Sequence, residues 1–239
     1  MTAISARLAK AAAGRWFYTG MAVLIALIVL AGFGPSYTSS LAPPGLPFWV
    51  HLHGAAMTGW IVLFVVQTWL VNQRNLSLHR RLGWLSIGLV VVMVLLGVAT
   101  DVLAVRRGAT PPFFTPAQMV FADLIDLMLF ASLYTAAILL RRQGEWHKRL
   151  LLSATVLLSW PALGRLRPLS AFGMTNIIPI SIGLLIALAL VGPVYDLIAR
   201  RRIHPAYLWA VGLIILAQPL YMLVAAAPPL QAWANGLKP

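Results

Sequence analysis

Along this chain, runs of about 20 predominantly apolar residues, the length a helix needs to cross a bilayer, alternate with short connections rich in arginine. The runs fall at roughly 16–34, 48–71, 82–104, 117–140, 149–168, 175–198 and 206–226. Inside lipid a helix is the simplest way for one segment to satisfy its own backbone groups. The pattern therefore predicts an all-α protein, a seven-transmembrane-helix bundle forming a single integral membrane domain over residues 1–239. The first run could be taken for a secretory leader, because Arg7, Lys10 and Arg15 precede it. It continues from Met21 to Phe33 without a small-residue cleavage motif, so it is expected to stay as an uncleaved helix.

Composition removes the other classes. Of the 239 residues, 61% are hydrophobic and 10% charged, whereas a soluble domain carries about a quarter charged residues. Soluble enzymes and disordered tails are thereby excluded. With no cysteine, the chain has no disulfide, thiolate metal ligand or cysteine nucleophile.

The net charge of +13 comes from 18 Lys+Arg against 5 Asp+Glu. In a soluble chain that balance would suggest nucleic acid, but here the cations follow the spans. With the N-terminus in the cytoplasm, Arg7, Lys10, Arg15, Arg74, Arg80, Arg81, Arg141, Arg142, Lys148, Arg149, Arg200, Arg201 and Arg202 are inside. Only Arg106, Arg107, Arg165, Arg167 and Lys238 are then outside, and this asymmetry predicts an N-in, C-out orientation. The partner so implied is the lipid bilayer, with anionic headgroups near the basic loops, and not nucleic acid. Most of the nine Trp fall near predicted span ends, as aromatic belts require, while Trp60 lies in mid-helix.

Two of the basic connections repeat each other. His79-Arg80-Arg81-Leu82 and His147-Lys148-Arg149-Leu150 match at a spacing of 68 residues, and Arg202-Ile203-His204-Pro205 is a looser third copy. Either these are related hairpins, or basic residues with a histidine simply make good interfacial anchors.

Ionisable groups within spans are costly and so are candidate functional residues. Asp196 lies four residues before Arg200 and Glu145 three and four before Lys148 and Arg149, spacings that suit ion pairs on a helix face. The other acids gather elsewhere: Asp101 near the outer end of the third run, and Asp123 and Asp126 on one face of the fourth, two to three turns from the same side. His51 and His53 open the second run on that side. Residues two apart on a helix point in nearly opposite directions, so one histidine faces inward. His53 is the better choice, because Met57, Trp60 and Gln67 continue its face. His51, His53, Asp123 and Asp126 are thus candidate ligands for a divalent metal, Fe, Mn or Zn. The same groups could instead form a polar pocket or proton path with Asp101, Gln67, Met57 and Trp60, with Arg165 or Arg167 as counter-ion. A polar network that only fixes helix packing is the third reading.

On the inner side, His79 and His147 begin two runs at similar depth. Two such imidazoles on facing helices are candidate axial ligands for haem b, with the neighbouring Arg and Lys near its propionates. Several chemistries lack their motif: no lysine lies in 206–226 for a retinal Schiff base, and there is no phosphate loop, His-Glu-x-x-His zinc motif or nucleophile elbow.

The segment His53…Gln67…Leu78-His79-Arg80-Arg81-Leu82-Gly83 resembles the first hairpin of uncharacterised bacterial multi-pass membrane families, and Trp146-His147-Lys148-Arg149-Leu150 with Trp160-Pro161-Ala162 their second signature. The likeness covers about residues 48–168. A looser similarity joins His53, His79 and His147 to b-type cytochrome membrane domains and to small proteins that assist terminal-oxidase assembly. It implies a bacterial inner-membrane location and a redox-associated role with haem or a metal, beside other subunits of a membrane redox complex. A small-molecule or proton-coupled transporter built on the outer Asp/His cluster is the alternative, and a structural subunit of a larger membrane complex a further one.

Overall fold

The apolar runs become helices whose boundaries are written in the connections. A computed structural model describes residues 3–38, 45–111 and 113–238, with side chains over 16–35, 45–111, 113–169 and 171–238. The side chains of Arg7, Lys10 and Arg15 lie outside the described residues. The helices are α1 (Ala3–Thr38), α2 (Phe48–Asn72), α3 (Leu76–Arg106), α4 (Pro116–Leu139), α5 (Gly144–Leu157), α6 (Trp160–Leu163), α7 (Met174–Arg200), α8 (Pro205–Ala226) and α9 (Pro228–Gly236). A 3-10 turn covers Arg167–Phe172, and no strand occurs among the described residues. Starts are capped where the sequence allows. Asn75 accepts from the Leu78 amide at 3.2 Å before α3, and Thr115 forms a capping box with Gln118 ahead of Pro116, the first residue of α4.

Among the described residues, six helices are long and apolar enough to cross a membrane: Trp16–Pro35 within α1, and α2, α3, α4, α7 and α8. Their outward faces carry large apolar side chains such as Leu27, Leu30, Leu95, Ile198 and Leu216. So much exposed apolar surface is untenable in water but suits a helix against lipid. The run expected over 149–168 is built differently. It is the 14-residue α5, a two-residue break and the one-turn α6. Pro161 supplies no amide to the Leu157 carbonyl, which accounts for the break at that point. The run is also the most enclosed: Leu150, Leu152, Ala154, Val156 and Leu157 are all buried, and α5 touches α1, α4, α7 and α8.

Contacts sort the connections into two ends of the bundle. The basic end gathers the α2–α3, α4–α5 and α7–α8 connections beside Tyr18 and Thr19 of α1. Asn72 donates to Thr19 Oγ1 at 2.7 Å, the Lys148 ammonium sits 5.2 Å from the Tyr18 ring centre, and Trp146 meets His204 ring to ring at 5.2 Å. The acidic end gathers the α3–α4 connection, α6, the start of α7 and α9. There Phe114 and Tyr221 flank Trp160, each at 6.2 Å, and Trp233 of α9 packs on Phe121 at 6.0 Å. The short helix α9 was not foreseen by the apolar pattern. Helix α1 runs parallel to α5–α6, with Tyr18 beside Lys148 and Gly32 against Ala162. A Cβ on Gly32 would collide with the Ala162 backbone, so only glycine permits this crossing.

Candidate functional site

At the basic end a cavity of about 1280 Å³ opens between α2, α3, α4 and α5, reached also by Tyr18 of α1 and Tyr195 of α7. Its apolar depth is formed by Trp60, Leu63, Phe64 and Ile87, and its mouth by Arg80, Arg141, Arg142, Lys148, Arg200 and Arg202 with Glu145 as the one acid. His79 and His147 both line it, their ring centres 6.4 Å apart and their planes at 89°. The two helix starts singled out by the repeat therefore bring their imidazoles together.

Local bonding orients these rings. His147 Nδ1 donates to the Ala137 carbonyl at 2.8 Å, which fixes the tautomer and leaves Nε2 with a lone pair. Gln67 Nε2 donates to the His79 carbonyl at 3.1 Å and holds the start of α3 against α2, while His79 Nδ1 is buried without a hydrogen-bond partner. At the cavity floor, Ser86 and Tyr134 share a hydroxyl hydrogen bond of 2.7 Å. On the wall, Gly83 has only Gln67 Nε2 within reach of an added Cβ, at 3.7 Å, so that wall is open.

Beside the cavity lies a network whose members are all paired. Arg149, fully buried, donates from Nε and Nη2 to Asp196 at 2.8 and 2.6 Å and from Nη1 to Glu145 Oε2 at 2.7 Å. The expected Asp196–Arg200 pair exists only at 3.6 Å, because Arg149, remote in sequence, takes the carboxylate first. Asp196 Oδ2 also accepts from the His204 amide at 3.2 Å. Burial works against ionised Glu145, but hydrogen bonds from Lys148, Arg149 and Arg200 outweigh it and bring its pKa down to about 2. Burial, followed by the charge of Arg149, lowers the pKa of His204, and its neutral Nδ1 accepts from the Ala206 amide to cap α8.

The acidic end is organised otherwise. The Asp101 and Asp123 carboxyls are neighbours, with Asp126 and Arg165 close to Asp123. Arg165 donates to the Pro161 carbonyl at 2.8 Å and lies 4.8 Å from the Phe33 ring centre. His51 is exposed, whereas His53 is half-buried, with Arg165 as its charged neighbour. Among the described residues, no three His, Asp or Glu side chains form a group able to hold a metal ion. Met57 packs at the core margin, and Trp60 is buried edge-on to Phe130 and Tyr134 at 5.2 and 5.6 Å. Sequence reasoning missed Ser86, Tyr134, Trp160 and Tyr221 as polar members of these two regions. Each is an ordinary core residue by local pattern, and only the long-range packing makes it part of a site.

Comparison of the chain with family models, curated proteins and solved structures finds no match.

Proposed function

We propose that this protein is a redox-associated membrane protein that binds haem b in the cavity of the basic end, with His79 and His147 as the axial pair. The observation that carries this reading is the 6.4 Å spacing of the two rings on the wall of a cavity of about 1280 Å³. Two imidazoles this close on one cavity wall would be able to hold a single iron between them, the ligation used by b-type haem proteins. The donor set fits as well. His147 has the ligand-plus-carbonyl arrangement common to metal-bound histidines, and the orphaned Nδ1 of His79 is a polar atom with no protein partner. The apolar depth suits a macrocycle, and the six cations at the mouth suit two propionates. Bound haem would supply one-electron chemistry.

In the same reading α5 with α6 is the fifth of seven crossings, as its parallel course beside α1 supports, and the basic end faces the cytoplasm of a bacterial inner membrane. The basic loops favour N-in, C-out. A reporter fused after Lys238 that is active only outside the cytoplasm should then report; a signal only from a cytoplasmic reporter would reverse the orientation.

The cofactor test is spectral. Protein purified in detergent from a haem-replete host should show a Soret band that shifts on reduction, and His79→Ala and His147→Ala should each lose or greatly weaken it. Folded wild-type protein with no such band, even after added haemin, would exclude the haem.

A further inference from the structure

We propose that the cavity rim between α3 and the end of α4 binds an anionic phospholipid, its phosphodiester held by Arg80 and Arg141 and one acyl chain laid along α3 over Gly88. The charge on this side of the rim is unbalanced. Glu145 is the one acid of the cavity, and Lys148, Arg149 and Arg200 all bond to it. Among the described residues no acid pairs with Arg80, Arg141 or Arg142, although all three line the cavity.

Two contacts hold Arg141 in place. Its Nη1 donates to the Ile138 carbonyl at 3.0 Å, and its guanidinium lies 5.6 Å from the Trp84 ring centre. The remaining N–H donors of the fork are left for an anion, and a phosphate accepts two of them at once. Trp84 and Arg80 are four residues apart in α3 and share one face, which sets Arg80 one turn from the same ring. Basic pockets set between membrane helices at the level of the headgroups are where phospholipid phosphates bind.

A free phosphate would need only the cations, but the surface continues from them as a track for a chain. Trp84 and Leu76 line the cavity yet are 63% and 48% exposed, so the mouth is open sideways along α3. Arg80, Trp84, Gly88, Val91 and Leu95 are all exposed and recur at helical spacing, forming one stripe that leads from the cation into the apolar belt. A Cβ on Gly88 would meet nothing within 4 Å, so the stripe dips between Trp84 and Val91. From Trp84 to Leu95 the helix rises about 16 Å, close to the depth of one leaflet of a hydrocarbon core about 30 Å thick. The site uses neither His79 nor His147 and stands with or without haem.

The test is native mass spectrometry of the full-length protein released from detergent and titrated with phosphatidylglycerol, phosphatidylcholine or inorganic phosphate. Wild type should bind phosphatidylglycerol markedly more tightly than phosphatidylcholine, and inorganic phosphate should not displace it. Arg80→Gln and Arg141→Gln, both at exposed positions, should each weaken phosphatidylglycerol binding by about fivefold. Arg107→Gln, beside Trp49 at the acidic end, should leave it unchanged. Gly88→Leu, which fills the dip and keeps both cations, should weaken the lipid as well. Equal binding of the two lipids overturns the proposal, as does phosphatidylglycerol binding that is undiminished in both Arg variants or in Gly88→Leu. Displacement by inorganic phosphate at equal concentration overturns it too, since the site would then be one for a free anion.

Discussion

Arg149 and Asp101 are both ionisable side chains set into an apolar bundle, yet their surroundings differ in kind. Arg149 is enclosed at the basic end with its guanidinium bonded to Asp196 and Glu145. Asp101, at the acidic end, has another acid, Asp123, as its neighbour. Beyond it Asp126, Tyr221 and Trp160 keep unpaired polar atoms. A fully satisfied buried ion pair fixes helices and has no capacity left for a ligand; an incompletely satisfied cluster retains that capacity. The difference separates the part of the charge that holds the bundle together from the part available for chemistry.

The largest effect should come from cutting the satisfied network. Asp196→Ala leaves the Arg149 charge buried without its main partner and should destabilise the protein by about 3–5 kcal/mol. Thermal unfolding in detergent is the measurement. Replacing both Arg149 and Asp196 with leucine should cost less than the single change, since no charge is then stranded. If the single variant unfolds like wild type, the pair is not what joins α5 to α7 and α8. Asp101→Asn, by contrast, should change stability little, because an amide can hydrogen-bond to Asp123.

A second effect comes from the packing around that network. The Tyr207 ring lies 5.4 Å from the Arg149 guanidinium and closely against Gly192, where an added Cβ would meet ring atoms at 2.5–2.7 Å. Tyr207 is 1% exposed and has nowhere to retreat. Gly192→Ala should therefore destabilise by about 1–3 kcal/mol, as overpacking does. Gly183→Ala, on the same helix with open space around its Cα, is the control and should be neutral or slightly stabilising.

These two regions also differ in how much of them could be read from the sequence. The long helices were legible because lipid allows few alternatives to an apolar run of that length. The convergence of His79 and His147 was legible because two similar loops put a histidine at the same depth near the start of two helices. The Arg149–Asp196 pair was not: local spacing offers Asp196 a partner at Arg200, and the 47-residue separation that actually matters has no local signature. The break after Leu157 was equally hidden, since Pro179, Pro193 and Pro219 lie within α7 and α8 without ending them. Proline alone therefore does not locate it. At the acidic end the three aspartates announced themselves, but Tyr221 and Trp160 became polar partners only through packing.

A smaller effect tests the floor of the cavity at the basic end. Tyr134→Phe removes the hydroxyl bonded to Ser86, while Ser86 still donates to the Gly83 carbonyl at 2.6 Å. With no donor stranded, the loss should be about 1 kcal/mol. Under the proposed haem binding the Soret band should persist, because neither His79 nor His147 is touched; its disappearance would mean that the cavity floor, and not the histidine pair, governs binding.

The smallest effect is the acid response of the basic end, and its sign follows from the shifts of its histidines and of Glu145. His204 has a folded pKa below its unfolded value of about 6.5. Its contribution is present above that value and is lost as the pH falls from there through the lower folded pKa, where protonation removes the acceptor that caps α8. Glu145 has a folded pKa of about 2 against an unfolded value of about 4.3. Its contribution is present above the unfolded value and fades between the two. The Glu145 side chain is 47% exposed, so solvent screening limits it to below about 1 kcal/mol. Stability should therefore decline in two shallow stages on acidification. Glu145→Gln should remove the lower stage and leave the upper one, while a His204→Asn variant, which keeps a capping acceptor that does not titrate, should leave the lower stage and shrink the upper one, to which the buried His147 also contributes.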